Sequence, residues 1–279
     1  MKRLLAIATL LLGAAWAGSA VAADSCSLSY KLKPGQVWLA TVSNQFKATE
    51  SGDDSTQASG YSVRYRVLKG EKPGWVKLEA KIVAHSAQGQ GGIDYTKLTY
   101  TADMHTSGEL RRIAHSGSAM PPMPEDQLAQ MPPQYAAMMQ QSAEMLAKAM
   151  QPGVFWFPEL PEEKLSVGDS FEVVQKSDLG GGTGMQMQTV VKSEFTLEDI
   201  SEGLAYFSVR QRAQSKAGGM GGSSETRTAG KADAIFDLEQ GMWVEMTAKS
   251  QSTSSFSGSG GMSGEMGGMQ LIRYRMQLQ

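Results

Sequence analysis

The sequence predicts a mainly β protein of the α+β class: a large curved antiparallel sheet or half-barrel made of two duplicated meanders, with one amphipathic helix packed on it. Three observations carry this. Several segments alternate apolar and polar residues with period two, the pattern of strands with one buried and one wet face. Similar segments recur in the same order about 130 residues apart. One stretch between the two sets has helical spacing instead.

Residues 1–22 read as a secretory signal peptide. Lys2 and Arg3 precede the apolar run LLAIATLLLGAAWAG, and Ala20-Val21-Ala22 supplies an A-x-A cleavage site. The run is too short for a retained membrane span. Cleavage near Ala22 leaves a periplasmic or secreted, non-membrane-spanning chain whose net charge moves from −2 to about −4 once Lys2 and Arg3 are gone. Such a mildly acidic chain has no general attraction for phosphate backbones, so nucleic acid is not an expected partner. Cys26 is the only cysteine, so the fold rests on its core rather than on an internal disulfide.

The first meander half spans 23–116. In YSVRYRVL, Tyr61, Val63, Tyr65 and Val67 share a face opposite Ser62, Arg64 and Arg66. In WVKLEAKIVA, Val76, Leu78, Ala80, Ile82 and Ala84 oppose Lys77, Glu79 and Lys81. The connecting region, 117–163, begins with the proline-rich GSAMPPMPED and holds the helical candidate PPQYAAMMQQSAEMLAKAMQPG. Pro132-Pro133 suits a first turn and Pro152-Gly153 a stop. Its stripe of Met138, Met139, Met145 and Met150 suits packing on a sheet face. The same stripe is also a candidate ligand or partner surface, a Met-faced lid over a concave sheet.

The second half spans 164–279, with strands expected near 169–177, 187–198, 204–216, 224–237, 242–256 and 269–279. Its last segment, LIRYRMQL, groups Ile272, Tyr274, Met276 and Leu278 against Arg273, Arg275 and Gln277. KLKPGQVWLATV resembles KLSVGDSFEVV, matching Gly35 to Gly168, and ADMHTSGELRRI resembles FDLEQGMWVEM, matching Gly108 to Gly241.

Every second connection of a meander lies at the same end of its sheet. SDLGGGTGM, AGGMGG and SGSGGMSGEMGGM therefore share one rim and gather Met185, Met220, Met262, Met266 and Met269 there. Thioethers are soft ligands for Cu(I), which makes these five a candidate metal site. Methionines on mobile backbone also make an adaptable apolar surface for partners. A third reading is plain slack hairpin tips.

Enzyme signatures are missing: there is no G-x-S-x-G, H-E-x-x-H, C-x-x-C or phosphate loop. His85, His105 and His115 have no acid or nucleophile spaced to pair with them. Asp103 and Asp237 read as turn caps. No catalytic residue and no organic cofactor is expected.

FPELPEEKLSVGDSF followed by AIFDLEQGMWVEM resembles a family of bacterial secreted and periplasmic β-rich proteins without an assigned function. The resemblance implies no site residues. More loosely, a curved sheet with a helix on its concave face is similar to the periplasmic lipoprotein-carrier architecture. The reading is a non-enzymatic periplasmic binding or carrier protein for an apolar small molecule, a lipid or a partner protein. The alternative is a Cu(I)-binding protein using the methionine loops.

Overall fold

The computed structural model describes residues 25–49, 56–87, 93–120, 132–180, 186–219, 222–258 and 263–279. The signal peptide expected over 1–22 lies outside them. Two short strands, β1 (Ser25–Cys26) and β7 (Leu165–Ser166), pair antiparallel and tie the N-terminal segment to the middle of the chain. Next come β2 (Val37–Ala48), β3 (Thr56–Lys69), β4 (Trp75–Ala87), β5 (Thr99–His105) and β6 (Leu110–Ser116). After the helix α1 (Pro133–Val154) follow β8 (Ser170–Gly180), β9 (Gln186–Ser201), β10 (Leu204–Gly219), β11 (Gly222–Asp237), β12 (Met242–Gly258) and β13 (Ser263–Leu278).

These strands build one open antiparallel sheet in the order β6-β5-β4-β3-β2-β13-β12-β11-β10-β9-β8. Every neighbouring pair is consecutive in sequence except β2 and β13, which join the first half to the second. The mainly β class, the sheet and the single helix therefore stand among the described residues. The strands of the second half are longer than expected. They run on through SDLG, AGG and EMGGM, which the sequence reading assigned to loops but which continue the ladders to the neighbouring strands.

Matched turns of the two halves are held by matched bonds. Gly35 N–H donates to Val67 O at 2.8 Å and Val67 N–H to Gln36 O at 2.9 Å; Gly168 N–H donates to Leu197 O at 2.7 Å and Leu197 N–H to Asp169 O at 2.9 Å. Thr106 N–H reaches Gly74 O at 3.0 Å, as Leu238 N–H reaches Gly203 O at 2.9 Å.

One sheet face is apolar near its base and buries the core. Val63, Tyr65, Val67, Leu78, Ala80 and Ile82 lie there as the alternation predicts. Ala84 does not: a bulge pairs Ser62 with Ala84 but Val63 with Ile82, and the extra residue turns the rest of β4 over. His85 consequently faces the Tyr95 ring, with centroids 4.5 Å apart. Burial lowers the His85 pKa, against the opposing pull of Asp94. The unfolded chain thus binds a proton there more readily than the folded one, so His85 costs stability as pH falls below about 6.5. His85→Gln is expected to flatten the stability profile between about pH 7 and pH 5. A ring pKa at or above the free value, measured by NMR, contradicts this.

The C-terminal half of α1 docks on the core through tyrosines. Tyr100 Oη donates to Ala147 O at 2.9 Å, Tyr61 Oη to Gly153 O at 3.0 Å, and Tyr65 Oη to Val154 O. Two of these bonds occupy the Gly153 and Val154 carbonyls of the last turn, which have no partner within the helix. Burial pushes the Tyr61 and Tyr100 phenols up to about 12. The helix also touches the edge strand β8. Beyond it, Phe155, Phe157 and Leu160 are buried, and Phe157 meets Tyr30 and Tyr65 edge-on at 5.7 and 5.5 Å. Trp156 packs on Tyr274 and Trp243, so this segment fills the core between the two halves.

Candidate ligand groove on the polar sheet face

A broad groove lies on the other face of the sheet. It has a volume of about 1110 Å³, and its lining residues come from eight adjacent strands, β3 through β2 and β13 to β8. Strand register explains its chemistry. Side chains directly opposite one another on neighbouring strands share a face. Reading across the sheet, Leu271, Lys249, Lys231, Arg210, Glu194 and Glu172 form one row. Two residues further along each strand, Lys47, Met269, Gln251, Ala229, Arg212 and Lys192 form the next. Six basic side chains line the groove against two carboxylates.

The charges are unevenly answered. Arg210 reaches Glu194 at 3.8 Å, and Lys192 reaches Glu172 at 4.0 Å. Arg212, Lys231 and Lys249 have no ion-pair partner among the described residues. Lys231 stands directly between Lys249 and Arg210, and like charges placed directly opposite destabilise a sheet by about 0.2–1 kcal/mol per pair. Lys231→Glu replaces two repulsions with two attractions. It is expected to raise Tm by about 2 °C in thermal denaturation at low salt, and less at high salt. An unchanged or lower Tm contradicts this account of the row.

The methionines single out two separate places. Met185, Met220 and Met262 lie outside the described residues. Met266 and Met269 belong to β13, where continuous pairing with β12 turns residues three apart to opposite faces. Met269 therefore lines the groove, while Met266 lies on the face continuous with the core. They cannot approach one ion while this pairing holds. On the core side, Met187, Ala217, Ser224 and Phe256 form a cross-strand row near the hairpin ends. Phe256 is 42% and Met266 59% exposed.

On α1, Met139, Met145 and Met150 are half-buried, and Met150 packs against the core. Met138 is half-exposed, at 50%, because the first half of α1 projects beyond the docked part. The remaining candidates are structural. Asp237 caps the turn, accepting from Glu239 and Gln240 N–H at 2.9 and 2.7 Å. Asp103 is not a turn cap: it lies within β5 and pairs with Arg112. His105 Nδ1 bonds Ser107 Oγ at 2.9 Å and its ring packs on Trp75. Cys26 is buried, which raises its thiol pKa and keeps it from solvent.

Among the described residues no helix is long and apolar enough to cross a membrane. No protein-family model matches the chain, and no curated protein does. The solved structures it is similar to include OccK8 (OprE) of Pseudomonas aeruginosa, at 6% identity and TM-score 0.22, over 91% of this chain and 100% of that one. An outer membrane channel of Pseudomonas putida F1 is similar at 7% identity and TM-score 0.20, over 89% of this chain and 98% of that one. At these scores neither carries a functional argument.

Proposed function

We propose that the chain is a non-catalytic binding protein of the cell envelope, exported by its signal peptide, and that its ligand lies in the cross-strand groove. One observation carries this: Lys249, Lys231 and Arg210 stand directly opposite one another across three strands, with Arg212 beside them. A sheet gains nothing by aligning like charges, whereas an anionic ligand bridging them would. The groove favours an anionic ligand over the apolar one expected from the methionine-rich composition, since its apolar side chains, Met269, Leu271 and Ala229, sit among cations.

A second reading, contact with an apolar protein partner, is supported by the exposed Phe256, Met187 and Met266 on the opposite face. We also propose that the two halves are copies of one ancestral meander; the matched turn bonds support that view. A copper site would have to be built from the hairpin tips without Met266 and Met269 acting together.

The test is native mass spectrometry of the protein purified at low salt from its own cell envelope, beside Lys231→Glu/Lys249→Glu. The expected result is an anionic species retained by the wild type and lost from the variant. A wild-type chain that emerges bare overturns the groove reading.

A further inference from the structure

We propose that the groove binds a linear acidic polysaccharide, an inference that rests on the groove being the ligand site. The cations do not converge on a point, as they would around a single phosphate. Lys249, Lys231 and Arg210 follow one another on adjacent strands about 4.8 Å apart, Arg212 and Lys192 flank them in the next row, and Lys47 stands further along a groove whose eight lining strands span about 34 Å. That is the footprint of an extended polymer carrying regularly spaced negative charge.

The neutral lining fits a sugar chain. Gln45 and Gln251, on the same face as the cations, offer donors and acceptors beside them, and Glu172 and Glu194 lie at one end to accept from hydroxyl groups. Met269 and Leu271 supply an apolar floor for C–H faces. The lining residues include no aromatic side chain, so the groove lacks the stacking platform on which single-stranded nucleic acid is held. Because the site is a groove crossed by rows of side chains, it accommodates a strand-like ligand better than a flat lipid surface.

The proposal is tested with the full mature chain and four labelled probes: polygalacturonate, heparin, neutral dextran and an oligothymidylate of 30 nucleotides. Fluorescence anisotropy is read at about 20 mM and 300 mM salt. At least one of the acidic polysaccharides is expected to bind at low salt and to weaken steeply at high salt, while dextran shows no binding. Arg212→Glu/Lys231→Glu/Lys249→Glu is expected to weaken that binding by about 30-fold or more. The milder Lys231→Gln/Lys249→Gln, which leaves no charge to disturb folding, is expected to weaken it by about tenfold.

Three outcomes overturn the proposal: neither polysaccharide binds, the variants bind as the wild type does, or the oligothymidylate binds as tightly as the better polysaccharide. If the envelope-purified chain retains an anionic species while both polysaccharides fail, the ligand class is wrong and the groove reading survives.

Discussion

Trp243→Ala is expected to lower the unfolding free energy by about 3–5 kcal/mol, the range for removing a large aromatic from a packed core. Trp243 is 1% exposed, and its ring meets Phe195, Phe207 and Phe236 at 5.3, 5.2 and 5.1 Å and Trp156 at 6.0 Å. It thus joins β9, β10 and β11 to the inserted segment after α1. The void left by alanine would touch all of them, and the rigid strands around it cannot close in. Against a typical total of about 5–15 kcal/mol, the variant loses a large part of its reserve. A chain of this size should then melt about 10 °C lower or more. Trp243→Phe, which keeps most of the ring contact, is expected to lose less than half as much. Denaturant unfolding measures both; equal losses would show that packing around the indole is not the cause.

Gly108→Ala is the second large effect. Gly108 has φ +94°, where a side chain costs about 1–2 kcal/mol. An added Cβ would also lie 2.6 Å from Pro158 O and 2.8 Å from a Tyr30 ring carbon. Those two groups are partners, since Tyr30 Oη donates to Pro158 O at 2.9 Å. Relieving the clash therefore disturbs a buried bond, adding about 1–3 kcal/mol. Gly35 supplies the control, with φ +95° and nothing within 4 Å of its added Cβ. Gly35→Ala should show the backbone cost alone, so the difference between the two variants isolates the steric part. If the two lose equal stability, the contact with Pro158 and Tyr30 is not limiting.

Much of the sheet was legible because alternation is a local property. The six strands expected in the second half all form, and the helix lies where its spacing put it. What misled was also local. Glycine in EMGGM reads as slack, yet Gly264 and Gly268 lie in a strand where a Cβ would strike the rings of Phe256 and Phe46 at 2.5 and 2.3 Å. The residues are small so that aromatics can lie across them. The bulge that turned His85 inward left no signal in the pattern of β4.

The groove was hidden for a different reason. Arg210, Arg212, Lys231 and Lys249 each read as the ordinary wet side of a strand. Only the register between strands, which no single segment carries, shows that they line up. A chain-wide charge near neutrality likewise conceals a face on which six cations gather. For the methionines, the alternation of a meander's connections suggested a cluster at one rim, but residue parity within β13 separates Met266 from Met269.

The seam between β2 and β13 has a consequence for how the molecule is made. Each of the sheet's eleven strands can zip onto the strand before or after it as soon as both have emerged, but the second edge of β2 waits for the chain's final segment. Until synthesis is complete there are two separate half-sheets, each showing a raw border. Clipping the chain before β13 would leave them in that condition permanently, as two sticky fragments tethered by a helix instead of one continuous surface.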